Sequence, residues 1–257
     1  MASADITFWN GNKSHIRRQY EKALITLCLQ HAKVRNVAFR VDETDYPQPE
    51  DEGNIFALGY DALVTVDGNQ KFAGKSLIKI QTPLCKDLLS HRLLIINRKK
   101  SDVFTSVTTS AELRLLTAGI PATWADADIL RSNSCHVYEH GELHDILNAL
   151  GNGQCDYVPL GANEINAIFN EFKCAERGLV LDPHHVIHYP LPLVFYVNPA
   201  RADVAHWLTV GLNSAMQSGA FDKLFNEHFP GTFAKLNIKQ RRLHRFSNPY
   251  LKSVKFD

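Results

Sequence analysis

The most constraining feature of the sequence is a strongly amphipathic helix pattern between two short apolar segments near the start of the chain. Residues 5–9 and 37–41 have the apolar character of strands. Between them, apolar residues recur at helical spacing and would form one stripe: Ile16, Tyr20, Ala23, Leu24, Leu27 and Cys28. The order strand, helix, strand predicts a right-handed βαβ crossover in a parallel sheet, because that hand packs the helix back onto the sheet.

The rest of the chain also alternates between strand and helix patterns, and this alternation starts afresh after the charged cluster at residues 98–100. The apolar patterns predict strands at 61–66, 77–81, 91–97, 118–120, 135–138, 155–159 and 179–181 and an extended segment at 186–197. They predict helices at 54–58, 110–116, 125–131, 142–150 and 163–172 and further helices towards the C-terminus. Residues 42–53 are acidic, carry two prolines and are expected to form an exposed connection.

These patterns predict an α/β protein with two lobes. A chain of 257 residues is long enough for one large core or for two lobes of about 100 residues or more. We expect residues 5–95 plus 196–257 to form lobe 1 and residues 96–195 to form lobe 2, with two extended hinge crossovers joining two sheets. Such a fold places a ligand cleft at the carboxyl ends of the strands.

Charge and hydropathy restrict the classes of partner. The chain has 28 Lys+Arg and 27 Asp+Glu, so no strong overall field favours nucleic acid or an anionic membrane. The longest apolar stretch, residues 189–197, is far shorter than the roughly 20 residues that span a bilayer. We therefore expect a small-molecule partner, no nucleic acid and a monomeric chain.

The first four residues, Met-Ala-Ser-Ala, suggest an origin outside the cytoplasm. They contain no basic stretch and no apolar core of a signal peptide, but Ala-Ser-Ala resembles the small residues beside a cleavage site. We expect a periplasmic protein whose signal peptide has been replaced by a start Met, with the mature chain beginning near Asp5. The alternative is a cytoplasmic protein with small residues at its start.

The cysteines and histidines give weak signals. Five scattered cysteines without a C-x-x-C pair exclude a disulfide scaffold, while a single Cys135–Cys155 bridge and buried free thiols both remain open. Two histidine sets, one of His136, His140 and His144 and one of His184, His185 and His188, raise a metal alternative. Because neither set has a spacing that makes its side chains converge, no metal ion and no other cofactor is expected.

Several segments resemble the type 2 periplasmic binding proteins, in particular the extracellular solute-binding family 3 that includes polar-amino-acid receptors. The segments that carry the resemblance are 93–96, 118–123, 147–159, 189–197 and 211–225, and together they extend over most of the chain from about residue 60. The resemblance implies a non-enzymatic receptor that closes around a small solute and serves an ABC transporter permease or a membrane sensor. It also implies the two-lobed fold and a place in the periplasm.

The sequence departs from the amino-acid receptors at two positions that contact the ligand. Where those receptors have an arginine for the ligand carboxylate, this chain has Gln70-Lys71-Phe72, and where they have an acidic residue for the amino group, it has Leu160-Gly161. We therefore expect a small polar or anionic ligand other than a standard α-amino acid.

Candidate ligand contacts lie where strands end or helices begin, because the free amides there donate hydrogen bonds. They are Trp9, Asn10, Asp67, Gly68, Arg92, Thr123, Trp124, Tyr157 and Glu164. Trp9 and Asn10 end the first strand, and core packing is the alternative for Trp9. Asp67 and Gly68 end the third strand, and a simple turn is the alternative there.

The remaining candidates lie in the second half of the fold. Thr123 has the position of a helix N-cap with an acidic residue three positions later, and Trp124 has a ring that stacks on ligands; capping and packing are the alternatives. Arg92 begins the hinge strand and suits an anion, with a surface salt bridge as the alternative. Tyr157 and Glu164 would add polar contacts, although Glu164 equally suits a helix N-terminus.

Two other classes of function remain as alternatives. The sequence has no G-x-S-x-G, P-loop or dinucleotide-binding glycine motif. A dehydratase-like lyase that uses Asp67 or Glu164 as an acid is the enzymatic alternative. A ligand-independent sensor or interaction module is the other.

Overall fold

A computed structural model describes residues 5–251 and divides the chain into two compact units. Unit 1 comprises Met1–Cys85 and Leu193–Pro230, and unit 2 comprises Lys86–Pro192 and Gly231–Asp257. Residues 1–4, on which the expectation of a removed signal peptide rests, lie outside the described residues.

The described residues form twelve strands and ten α-helices. The strands are β1 (Ile6–Trp9), β2 (Phe39–Asp42), β3 (Ala62–Val66), β4 (Ile78–Ile80), β5 (His91–Asn97), β6 (Thr117–Ile120), β7 (His136–Glu139), β8 (Tyr157–Gly161), β9 (Leu179–Leu181), β10 (His185–His188), β11 (Leu193–Val197) and β12 (Arg242–Arg245). The helices are α1 (His15–His31), α2 (Pro49–Gly53), α3 (Ser101–Ser106), α4 (Ser110–Arg114), α5 (Ala125–Ser132), α6 (Leu143–Gly151), α7 (Ile165–Glu171), α8 (Ala202–Gln217), α9 (Ala220–His228) and α10 (Thr232–Lys235).

Unit 1 is built on a five-stranded sheet with the order β2-β1-β3-β11-β4. The first three strands run parallel, as the βαβ pattern predicts, and β11 is antiparallel to β3 and β4. The predicted apolar stripe of α1 is confirmed by its buried Tyr20, Leu24 and Cys28. α1 packs against α8, where Gly211 lies directly on the Cys28 carbonyl oxygen, so close that a side chain there would overlap it.

Unit 2 is built on a seven-stranded sheet with the order β12-β10-β5-β8-β6-β7, to which β9 adds beside β5. β6 is parallel to β7 and β8, whereas β5 is antiparallel to β8, β9 and β10. β5 is buried throughout residues 92–96 and apolar over residues 93–96, which suits a central strand.

The boundaries of the units differ from the predicted lobes of 5–95 plus 196–257 and 96–195. β5 belongs to unit 2 because its hydrogen-bond partners are all strands of that sheet. The C-terminal part after Pro230 also belongs to unit 2, since β12 pairs with β10. The chain therefore passes between the units three times, after Cys85, Pro192 and Pro230, and not only at two crossovers.

Local predictions hold for most elements and fail in the connections. The helix expected at 54–58 is instead α2 at 49–53, inside the stretch predicted to be a connection, because Pro49 and three acidic residues form its first turn. α3 and β12 were not predicted. β12 has a mostly exposed, charged sequence whose extended form depends on its pairing with β10.

All five cysteines lie in the described part of the chain, are buried and carry free thiols. The open question of a Cys135–Cys155 bridge is therefore decided in favour of free thiols. Within residues 5–251, none of the helices combines the length and the apolar character that a bilayer crossing requires.

Candidate functional site

Unit 2 brings two loops together where parallel strands end side by side. β6 and β8 are parallel neighbours that end at Ile120 and Gly161, and the loops 121–124 and 162–164 then lead into α5 and α7. Ligands of open α/β sheets bind beyond the carboxyl ends of strands. We call these two loops, together with the side chains packed against them, the β6–β8 edge.

Arg92 reaches this edge from β5, where its backbone is in register with Gly161. Its guanidinium is buried and forms an ion pair with Asp126, with 2.5 Å between Nη2 and Oδ1. Its Nε donates to the Tyr189 hydroxyl at 3.1 Å, and that hydroxyl donates to the same Asp126 oxygen. Burial by itself lowers the pKa of Arg92, but Asp126, Tyr189 and Glu164 together outweigh it and the net direction is upwards.

Three polar atoms at the edge are buried without a hydrogen-bond partner among the described residues. They are Nη1 of Arg92 and both Oδ1 and Nδ2 of Asn163. Gly161 lies between these groups. A methyl group on Gly161 would lie 3.0 Å from Arg92 Nη1 and would overlap Asn163 Oδ1. An unpaired buried polar group costs about 1–3 kcal/mol, so a cluster of three is a place where a polar ligand or water gains binding energy.

Glu164 and Tyr157 lie differently relative to this edge. Glu164 is the N-cap residue of α7, is buried, and has a charge close enough to raise the pKa of Arg92. Tyr157 begins β8, four residues before Gly161, which places it about 13 Å along the strand from the edge. Its ring is fully buried against Phe104, so the structure assigns Tyr157 to the core and not to the site.

Thr123 and Trp124 lie on the edge, but the predicted N-cap at Thr123 is wrong. An N-cap at Thr123 would make Trp124 the first helical residue. α5 instead begins at Ala125, so Trp124 is the N-cap residue, and its side chain makes no capping hydrogen bond. Thr123 is exposed and left-handed, with φ 70°, and its N–H donates to Glu139 Oε1 at 3.0 Å. Because the chain turns at Thr123, the acidic Asp126 points inwards to Arg92.

In unit 1, Trp9 and Asn10 hold the strand end in place. Trp9 is 1% exposed, belongs to a core cluster with Tyr60 and Phe72, and donates from Nε1 to the Thr44 carbonyl at 2.9 Å. Asn10 is fully buried and donates from Nδ2 to the Arg18 carbonyl at 2.9 Å. Both side chains are thus committed to packing and to internal hydrogen bonds.

Asp67 and Gly68 form a simple turn, which was the alternative to a role in ligand binding. Asp67 forms an ion pair with Lys79 at 2.8 Å. Gly68 has φ 76°, which favours glycine, and its N–H donates to the Tyr196 hydroxyl at 3.2 Å.

A polar network that the sequence did not predict follows β3 in unit 1. Lys71 and Glu52 form a half-buried ion pair at 2.6 Å. Asn69 Nδ2 donates to Glu52 Oε1 at 3.1 Å and to Thr65 Oγ1 at 2.8 Å. Lys71, in the segment 70–72, is therefore already paired within unit 1.

The residues of the candidate site that sequence reasoning missed are Asp126, Tyr189 and Asn163. Asp126 was visible only as an acidic residue near a helix start, a position that usually favours the helix itself. Asn163 follows Gly161 by two residues, and the absence of a side chain at Gly161 was the available signal. Nothing local marks Tyr189 as a partner of Arg92, which lies 97 residues away in the sequence.

The two predicted histidine sets do not assemble in the part of the chain that the structure describes. His184 faces Thr105 at 3.3 Å, and His185 faces His244 at 3.0 Å. His188 contacts neither of them and lies 3.0 Å from Asp87. His144 lies on α6, where it contacts Asn148 and Asp145 of the same helix and the Phe172 ring.

Comparison with known proteins gives a match in structure only. No family profile matches the sequence, and no curated protein matches it. An ancestral arginine-binding protein bound to glutamine superposes with a TM-score of 0.63 and 10% identity over 89% of this chain and 99% of that one. A periplasmic His/Glu/Gln/Arg/opine family-binding protein from Silicibacter pomeroyi, in complex with lysine, gives 0.60 and 11% over 88% and 96%. The chain has the fold of a type 2 periplasmic binding protein.

Proteins with other roles share this binding-protein fold. A histidine kinase sensor domain with similarity to periplasmic binding proteins superposes with a TM-score of 0.60 and 13% identity over 88% of this chain and 96% of that one. The expected α/β fold with two sheets is thereby confirmed. In this fold, the two units described above are the two lobes.

Proposed function

We propose that this protein is a periplasmic solute-binding protein, without enzymatic activity, that binds a small polar or anionic ligand. The observation that carries the proposal is the group of unpaired buried atoms at the β6–β8 edge, Arg92 Nη1 with Oδ1 and Nδ2 of Asn163. These atoms lie at the end of the strands where ligands of α/β sheets bind. The binding-protein fold of the whole chain supports the same function.

The edge has the chemistry for a carboxylate or amide group on the ligand. Arg92 Nη1 and Asn163 Nδ2 are donors, and Asn163 Oδ1 is an acceptor. Asp126 already neutralises Arg92 and the Glu164 charge lies nearby, so the edge carries no net positive charge and favours a polar group over a polyanion. The structural neighbours were solved with glutamine and with lysine, and a ligand of similar size is the natural first choice for screening.

We further propose that Trp124 and Thr123 contribute to the same site from the loop before α5. The ligand would stabilise a closed state of the two lobes only to the extent that it binds that state more tightly than the open one. A protein of this kind would act as a monomer and deliver its ligand to an ABC transporter permease or present it to a membrane sensor. The similarity to a histidine kinase sensor domain supports the sensor role, which we therefore propose beside the transport role.

The test combines a ligand screen with two variants at the edge. Amino acids, small carboxylates, amines and sugars are screened by thermal shift, because a ligand that binds the native state raises Tm by mass action. Hits are measured by calorimetry on the wild type and on Asn163→Ala and Gly161→Ala. Gly161→Ala places a methyl group between the two unpaired side chains, so we expect at least tenfold weaker binding in both variants.

Gly151→Ala is the matched control, because a methyl group at Gly151 meets no atom within 4 Å. It should bind the ligand as the wild type does. If Asn163→Ala folds normally and retains full affinity for every hit, the edge is not the binding site. If no compound of these classes raises Tm, the solute-binding function itself is contradicted.

A further inference from the structure

Two histidines and an aspartate from separate segments of unit 2 meet beside β5. Asp87 lies in the turn before β5, His91 is the first residue of that strand, and His188 is the last residue of β10. The antiparallel pairing of β5 with β10 sets His91 opposite His188. One donor atom from each of the three side chains lies within 4.8 Å of the others. We call this group the Asp87 cluster.

The Asp87 cluster and the β6–β8 edge lie on opposite faces of β5 and of the chain where β10 ends. Side chains alternate along a strand, so the neighbours Arg92 and Tyr189 point away from His91 and His188. On one face, the two imidazole rings meet edge to face with centroids 4.7 Å apart. On the other, Arg92 Nε meets the Tyr189 hydroxyl. The Asp87 cluster is therefore not part of the ligand site proposed above, and the inference drawn from it does not rest on that function.

The separations within the cluster suit coordination of a metal ion. Asp87 Oδ2 lies 3.0 Å from His188 Nε2 and 3.4 Å from His91 Nδ1. A zinc ion about 2.0–2.2 Å from each donor in tetrahedral geometry separates its donors by roughly 3.4 Å. The carboxylate oxygen thus already stands at coordination spacing from His91 and lies at hydrogen-bond distance from His188, from which it would move about 0.4 Å to bind the same ion. His91 Nδ1 also lies 2.8 Å from the Asp87 carbonyl oxygen, and it would exchange this hydrogen bond for the metal bond.

The environment leaves one side of the cluster open to water. The side chains of His91 and His188 are 15% and 18% exposed, whereas that of Asp87 is 52% exposed. Phe233 packs edge to face on the His91 ring at 5.1 Å and helps to fix it. An ion bound here would have three protein ligands and a water molecule in the fourth position, and it would join the turn before β5 to the end of β10.

The donor set and the surrounding charge select the class of ion. Two imidazole nitrogens with one carboxylate oxygen suit zinc, cobalt, nickel and copper, whereas calcium and magnesium prefer oxygen ligands. Arg245 on β12 is in register with His188. Its positive charge repels cations and so disfavours calcium and magnesium, whose binding depends on electrostatic attraction to oxygen ligands. We propose that Asp87, His91 and His188 form a binding site for one divalent transition-metal ion, with zinc as its representative.

The experiment uses the full chain without a histidine tag, after treatment with a chelator. Zinc chloride is titrated by calorimetry, and cobalt chloride by visible absorption, which reports tetrahedral coordination. We expect one equivalent of each ion and a higher Tm with zinc. His188→Gln and Asp87→Asn should each weaken zinc binding at least tenfold while keeping the metal-free Tm near that of the wild type.

His184→Gln is the matched control, because His184 belongs to the same histidine-rich segment but faces Thr105. It should bind zinc as the wild type does. His91→Gln replaces either variant that fails to fold. The proposal is overturned if the wild type shows no saturable binding of about one equivalent of zinc or cobalt. It is also overturned if folded His188→Gln and Asp87→Asn retain the wild-type affinity.

Discussion

Arg92 and Asp126 form a buried ion pair across unit 2, with 2.5 Å between Nη2 and Oδ1 and with side chains that are only 3% and 6% exposed. The two residues come from β5 and from the first turn of α5, so the pair joins the central strand to the helix that follows β6. The Tyr189 hydroxyl contacts both partners. The same Arg92 presents its unpaired Nη1 to the β6–β8 edge, so the ion pair also fixes the donor of the proposed ligand site.

Removal of one partner of this ion pair should destabilise unit 2 strongly. Asp126→Ala leaves a buried guanidinium without its ion-pair partner, and such a change costs about 3–5 kcal/mol of unfolding free energy. Urea denaturation followed by circular dichroism measures the loss. Asp102→Ala, at an exposed position in α3, is the control and should change the unfolding free energy by less than about 0.5 kcal/mol. Equal stability of the two variants would show that the pair is not structurally important.

A chain of hydrogen bonds through two histidines should make the stability of unit 2 sensitive to acid. His185 Nε2 lies 2.8 Å from the Phe104 carbonyl oxygen, His185 Nδ1 lies 3.0 Å from His244 Nε2, and His244 Nδ1 lies 3.0 Å from Ser110 Oγ. Burial, followed by the proximity of His185, Arg242 and Arg114, lowers the pKa of His244 from 6.5 to about 4.

The sign follows from where the proton binds. Between pH 6.5 and about 4 the unfolded chain binds a proton that the folded chain does not, so the stability is present above pH 6.5 and is lost as the pH falls towards 4. The full shift corresponds to about 3 kcal/mol at 1.36 kcal/mol per pKa unit. Urea denaturation at pH 7 and pH 4.5 measures the difference, which should be clearly smaller in His244→Gln. An unchanged difference in that variant would rule His244 out as its source.

The five thiols should be unreactive in the folded protein. Burial raises the pKa of Cys28 and of Cys155 to about 12 and that of Cys135 to about 11, and only the thiolate is nucleophilic. We expect the reaction with Ellman's reagent at pH 8 to be at least ~100-fold slower in the native protein than in guanidinium chloride, where five thiols should react. Rapid labelling of even one thiol in the native state would contradict this.

Two glycine-to-alanine substitutions on helices should have effects of opposite sign. A methyl group at Gly211 in α8 would overlap the carbonyl oxygen of Cys28 in α1, so the helices must separate, and Gly211→Ala should cost at least about 2 kcal/mol. Gly151, at the end of α6, has open space around it, and Gly151→Ala should gain about 0.5–1 kcal/mol. Urea denaturation of both variants checks the prediction, and it fails if Gly211→Ala is as stable as the wild type.

Much of the local structure followed from the sequence because it depends on periodicity within one segment. The apolar stripe of α1 fixed both the helix and its buried face, and the apolar run of β5 fixed a central strand. The order of these elements was enough for an α/β fold with two sheets. Prediction failed at α3 and at two charged segments, α2 and β12. The form of α2 depends on a first turn with proline, and that of β12 depends on a distant strand partner.

The candidate site was predicted only in part because its members act in pairs that are distant in the sequence. Arg92 and Glu164, both predicted as ligand contacts, lie at the β6–β8 edge, whereas Tyr157, predicted with them, lies at the other end of β8. A strand pattern does not say which end faces a ligand. Trp9 and Asn10 have the expected position at a strand end, yet their side chains are directed into the core.

The sequence by itself determined the alternation of strands and helices and the near-neutral charge, because these are properties of neighbouring residues and of composition. Only the tertiary structure decided that β5 pairs in the second sheet, that Arg92 meets Asp126 and Tyr189, and that Asp87, His91 and His188 converge. The physical reason is that strand register and helix docking bring these side chains together from positions as many as 101 residues apart. Those contacts depend on how the whole unit packs, and the spacing of residues within one segment does not predict that packing.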